Sequence, residues 1–155
     1  MSYSNYEKAM ALAPSCQYYT TAGGKSEEDI KKAEEMLGIK FSRQMTDFYS
    51  KYGYMSFFGT EIFGIDPDNL TVLEGNSVAY ALNDRIEYLL PNEWIPIYNC
   101  GNGDMVFLDY SNLNPDGEPK VILASCQMDT YEQIDTLADD FGDFILELVQ
   151  EMSGE

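Results

Sequence analysis

Residues 94–111 read WIPIYNCGNGDMVFLDYS. Two apolar runs, rich in aromatic and β-branched residues, flank the turn-forming stretch Asn99–Asp104. Glycine adopts positive φ at no steric cost and Asn and Asp tolerate it, so the pattern predicts strand, turn, strand. The alternative is a chemical loop. A phosphate loop needs GxxxxGK[ST], but no lysine follows until Lys120, and Asp104 has the wrong sign for a phosphate cradle. A dinucleotide fingerprint needs a third glycine and then a helix, whereas MVFLDY has the texture of a strand. Cys100 has no basic neighbour in sequence, and Asp104 disfavours its thiolate, so it is expected to be inert. The stretch is therefore a hairpin. Beyond the turn-rich SNLNPDGEP (111–119), KVILAS (120–125) adds a third strand, which makes an antiparallel meander.

Upstream, FFGTEIFGI (57–65) has strand texture and DPDN (66–69) is a turn. In NSVAYALNDRI (76–86), Val78, Ala81, Leu82 and Arg85 fall at helical spacing. Two further helices precede them. Ser26 caps the first, Glu27, Glu28 and Asp29 complement its dipole, Ile30, Ala33 and Leu37 share a face, and Gly38 ends it. Ser42 caps the second, in which Met45, Phe48, Tyr49 and Tyr52 recur at i, i+3, i+4 and i+7 before Gly53. Residues 2–12 form a short helix with Tyr6 and Met10 on one face, ended by Pro14, and TTAGG (20–24) follows as a loop. At the other end, TLADDFGDFILELVQEM (136–152) is read as a helix. Phe141, Phe144, Ile145, Leu148 and Met152 form its stripe, and Gly142 is a slight weakness. The layout predicts a single α+β domain over 1–155, with its core at about 26–152. A mostly antiparallel sheet is flanked by an N-terminal helical pair and a C-terminal helix.

The chain of 155 residues carries no histidine, which excludes Ser-His-Asp and Cys-His catalysis. Cys16, Cys100 and Cys126 form no CxxC pair, so a zinc site is not expected and reduced, buried thiols are. Asn112, Asn114, Asp116 and Gly117 match the first positions of a calcium loop, but Leu123 stands where a bidentate Glu belongs and a strand follows. A polar hairpin loop is preferred there to a weak cation site. No catalytic residue, cofactor or metal is assigned. There is no basic and apolar leader pattern after Met1, and no apolar run nears the roughly 18 residues that span a membrane. The expected location is cytoplasmic.

Charge is the strongest signal. The net charge is −18, and it is unevenly placed. Residues 1–51 hold seven bases and seven acids, while 52–155 hold two bases, Arg85 and Lys120, and twenty acids. Such a field repels nucleic acid and anionic membrane and attracts a basic protein. Twelve tyrosines interleaved with acids suit a protein-binding face. Acids expected to be exposed on sheet loops are the candidate partner-binding residues: Asp66, Asp68, Asp104, Asp109, Asp116 and Glu118. Asp109 has a second reading, as a structural acceptor at a strand end. A monomer or weak dimer is expected.

The order of these pieces resembles the SUKH superfamily, which includes fungal cell-wall-synthesis regulators and bacterial immunity proteins. IKKAEEMLGIKF (30–41) and SRQMTDFYSKYG (42–53) look like its paired helices around a Leu-Gly-Ile step. FFGTEIFGI (57–65) is similar to its glycine-punctuated strand. WIPIYNCGNGDMVFLDYS resembles its Pro-Ile, Gly-x-Gly-Asp, apolar-strand core, and FGDFILEL (141–148) its closing helix. One departure is Ser42, where the family usually has proline; serine also starts helices. The resemblance implies a non-catalytic binding domain. The function expected from it is an immunity-type protein that occludes a cognate bacterial toxin domain with a basic, nuclease-like surface. Two alternatives stay open: an intracellular regulatory or scaffold module, and a small carboxylate- or metal-dependent enzyme.

Overall fold

A computed structural model describes the backbone of residues 2–153 and the side chains of 3–152; the remaining ends of the expected 1–155 span lie outside the described residues. The first half is helical. Helix α1 (Ser2–Leu12) runs into a single 3-10 turn at Ala13–Ser15, where Pro14 ends it as expected. Helix α2 (Glu27–Leu37) starts where the Ser26 hydroxyl accepts the Asp29 N–H (3.1 Å) and stops at Gly38, which is left-handed (φ 69°). Helix α3 (Arg43–Lys51) starts at Ser42, whose hydroxyl accepts the Met45 N–H (3.4 Å). The predicted apolar faces of α2 and α3, from Ile30 to Leu37 and from Met45 to Tyr49, are buried.

Two antiparallel sheets follow. The small one has the order β1 (Thr20–Thr21), β2 (Met55–Phe57), β3 (Thr60–Ile62). The large one is the meander β4 (Trp94–Asn99), β5 (Asp104–Leu113), β6 (Pro119–Gln127), β7 (Thr130–Ala138). Three local expectations change. FFGTEIFGI is not one strand: Phe58 (φ 51°) and Gly59 (φ 79°) both sit at positive φ and fold it into a tight hairpin. The first residues of the TTAGG loop pair with β2. Residues 136–138, placed in the last helix by their apolar spacing, belong to β7, and helix α5 (Phe141–Ser153) begins only after Asp140.

Met105 to Asp109 of β5 are all buried, so the large sheet is covered on both faces. Helix α4 (Ser77–Glu87) crosses one face. Its Ser77 hydroxyl donates to the Pro96 carbonyl on β4 (2.5 Å), and its Asp84 accepts from the Tyr131 hydroxyl on β7 (2.6 Å). Helix α5 lies on the other face, with Phe144 against Tyr98 of β4 (ring centroids 6.5 Å). Phe141 of α5 also meets Phe48 of α3 (5.0 Å) and Tyr6 of α1 (6.3 Å). Buried side chains from all five helices and both sheets form one continuous apolar cluster, which makes the chain a single α+β domain. Among the described residues no helix is long and apolar enough to cross a membrane.

Candidate functional site

The β4–β5 loop is closed on itself. The Asn99 side chain accepts the Gly101 N–H (2.9 Å), Asn102 accepts the Asp104 N–H (3.1 Å), and the Cys100 N–H reaches the Asp104 carbonyl (3.1 Å). The amides of Cys100, Gly101 and Asp104 are therefore taken by the loop's own oxygens. Gly101 (φ 85°) and Gly103 (φ 95°) have open space around them and are required for conformation alone. Burial, and then Asp104, push the half-buried Cys100 thiol up, which keeps it protonated and unreactive. The Cys126 thiol is likewise pushed up, by desolvation and then by Asp84 and Asp129.

The six candidate acids do not form one cluster. Asp66 is half-buried, and its backbone N–H and carbonyl are both held by the Asn76 side chain (3.0 Å each). Asp68 is exposed and ion-paired with Lys32. Asp104 is half-buried at the start of β5, and Asp116 is exposed in the β5–β6 loop. These last two lie at opposite ends of the large sheet, since β5 runs from Asp104 to Leu113 between them. At about 3.4 Å per residue that strand separates them by roughly 30 Å.

The other two acids are not exposed. Asp109, 7% exposed, accepts from the Ser111 N–H (3.0 Å) and hydroxyl (2.5 Å), the structural-acceptor role that was its second reading. Glu118, 3% exposed, accepts the Gln44 N–H (3.2 Å) in the first turn of α3, where the helix dipole favours a carboxylate. Both face inward because each satisfies a backbone donor. Burial still outweighs those bonds at Glu118 and raises its pKa, with Asp140 and Asp116 adding to the rise.

What the fold does bring together is a set of acids around β3, the 66–75 loop and the β4–β5 hairpin. Two adjoining open clefts, of about 360 and 420 Å³, share Glu61 and Glu74 as walls. Asp66 and Tyr54 line the first, Cys100 and Gly101 the second, and Lys25 is the one base on either wall. Asn99 donates to Glu74 (2.9 Å) and so ties the hairpin to the loop. Sequence spacing gave no reason to single out Glu61 or Glu74, which come to share cleft walls with Asp66 and the β4–β5 hairpin only through sheet docking.

A second acid group lies at the opposite end. Carboxylate oxygens of Asp139, Asp140 and Asp143 come within 4.8 Å of one another. Each is engaged in building the fold. Asp140 caps α5 by accepting the Asp143 N–H (2.9 Å), Asp143 accepts from Asn5 (2.8 Å), and Asp139 accepts from Asn114 (3.1 Å). The Asn114 oxygen, an expected calcium-loop position, accepts the N–H groups of Asp116 (2.9 Å) and Glu118 (3.0 Å) and so closes the hairpin.

Fold and surface together define a small α+β domain on two antiparallel sheets, with an acidic open face. The chain belongs to the SUKH_5 family, described as SMI1-KNR4 cell-wall, whose family model matches residues 8–150. No curated protein gives a significant match.

Proposed function

We propose that this chain is an immunity-type binding protein that neutralises a cognate toxin domain by covering its basic, nuclease-like surface, without catalysis. The observation that carries this reading is the acidic face on a SUKH-family fold: Glu61, Asp66 and Glu74 line two adjoining clefts, and Asp104 closes the β4–β5 hairpin whose Cys100 and Gly101 form part of the second. A surface evolved to hold phosphate is cationic, and an acidic partner is steered onto it and can occupy it. In this account Asp66 and Asp104 act at the binding face, together with Glu61 and Glu74. Asp68 and Asp116 lie outside it, and Asp109 and Glu118 contribute by holding the strand end and the start of α3. The partner meets the chain in the cytoplasm, and the chain acts as a monomer or weak dimer.

The test is a binding measurement between the purified chain and the purified product of the gene adjacent to its own. A one-to-one complex whose association rate falls steeply with added salt is expected. No complex at low salt would sink the reading. The family's cell-wall description favours a second reading, a regulatory module for an intracellular partner. A complex with a cell-wall-synthesis factor, and none with the toxin domain, would select it.

A further inference from the structure

We propose that the apolar patch at the C-terminal end of α4 and the β6–β7 turn is where the basic protein partner seats, with its own apolar or aromatic side chains inserted and its Lys and Arg on the rim. This rests on the reading above and adds an apolar contact area beside its acidic face: Asp104 pairs with Ser125 and Ser125 with Glu132, so the β6–β7 turn lies at the same end of the large sheet as the β4–β5 hairpin.

Two residues carry the inference. Leu89 is 70% exposed and Met128 95% exposed, and both hold positive φ (54° and 59°). A left-handed conformation is unfavourable for a side-chain-bearing residue, and glycine or asparagine fits it better. Neither side chain recovers that cost by burial within the chain. Exposed apolar residues grouped on unfavourable backbone point to a contact outside the chain.

The patch has a rigid base. Tyr88, beside Leu89, packs edge-on against Tyr131 (6.2 Å, 82°). Tyr131 in turn packs on the buried Phe107 (5.1 Å) and donates to Asp84 (2.6 Å). Tyr131 is also the ladder partner of Cys126, two residues before Met128, so the pair joins the two segments. Ile86, 79% exposed, adds apolar surface in the last turn of α4.

Charge identifies the occupant. Glu87, Glu93, Asp129 and Glu132 are exposed on these segments, and residues 86–104 and 126–135 contain no Lys or Arg. Arg85, next to the patch, spends its guanidinium on the Leu37 (2.8 Å) and Asn92 (2.7 Å) carbonyls. A second copy would bring its own acids against these, at −18 per chain, and an anionic membrane is repelled for the same reason. Strand addition on the β7 edge is blocked as well. The register skips Ile134 and Leu137, and two bulges in an edge strand spoil the template. A protein surface with apolar groups inside a basic ring remains.

The experiment uses the full chain, the single variants Leu89→Asn and Met128→Gly, and the double variant. The probe is the purified product of the adjacent gene. Both substitutions suit positive φ, so melting temperatures equal to or above wild type are expected. Binding of the double variant should weaken at least tenfold, chiefly through faster dissociation. Wild-type binding that survives intact in the stably folded double variant overturns this surface and leaves the proposed function standing. No wild-type complex overturns both. Sedimentation of the wild type alone provides a further check: a dimer abolished by the double substitution would make the occupant a second copy and overturn the assignment of a basic partner.

Discussion

At Gly142 two effects oppose each other. Alanine is the better helix former by up to about 1 kcal/mol in a helix interior, and by less in a first turn. A Cβ there would stand 2.6–2.7 Å from the backbone and Cβ of Tyr6, because α1 crosses α5 at this point. Overpacking against backbone costs about 1–3 kcal/mol, so packing wins. Gly142→Ala is expected to destabilise the fold, and a urea titration showing equal or greater stability would refute the close-crossing account. Gly64 is the sharper case, since a Cβ would lie 1.6 Å from the Gly53 carbonyl oxygen. Gly101 and Gly103 differ in kind, because their surroundings are empty and only φ demands glycine. Glu118 makes the pH prediction. Its raised pKa means that the folded chain keeps the proton at a pH where the unfolded chain has lost it. The group's contribution is therefore most favourable below the ordinary glutamate value and is lost as pH rises through the folded one. Glu118→Gln retains an acceptor for Gln44 and removes the buried charge. It should melt above wild type at pH 7, with the gap closing towards pH 4; a gap that widens on acidification would reverse the sign of this argument.

Among the elements, α4 depends on one side chain more than its sequence suggests. Asn76, 4% exposed, caps the helix by accepting from the Ala79 N–H (3.5 Å). It also accepts from the Asp66 N–H and donates to the Asp66 and Asn69 carbonyls. Losing a cap costs about 1 kcal/mol, and each buried group left unpaired about 1–3 kcal/mol more. Asn76→Ala should therefore cost roughly 2–4 kcal/mol in denaturant melts, against about 1 kcal/mol for Ser26→Ala, whose cap stands alone; equal losses would contradict the stapling role. The caps at Ser26 and Ser42 and the stop at Gly38 were legible because a cap acts within four residues. Strand β7 was not. TYEQIDTLA is mostly exposed, lacks alternation, and is held by hydrogen bonds to β6. Its last residues shared the apolar texture of the next helix. Asp140 followed by Asp143 is the local signal that would have placed the helix start correctly.

For the whole molecule, charge sets the behaviour. At −18 the folded chain repels itself, and compactness brings the acids of 52–155 closer than an unfolded chain does. Raising NaCl from about 20 to 200 mM shortens the screening length from roughly 20 to 7 Å. The melting temperature should rise by a few degrees, and a calorimetric scan that shows no rise would mean that the acids are too dispersed to interact. The same field makes the expected partner basic and its association salt-sensitive. The amino-acid sequence by itself determined the charge and its bias, the α+β class, four of the five described helices, the caps of α2 and α3, the hairpin at 99–104 and the absence of histidine chemistry. Each of these follows from composition or from interactions between near neighbours. Only the tertiary structure decided that there are two sheets, that Asp109 and Glu118 face inward, that Glu61 and Glu74 join Asp66 at one end, and that Leu89 and Met128 stand exposed on strained backbone. Those outcomes depend on strand register and backbone approach between residues tens of positions apart, which no local pattern encodes.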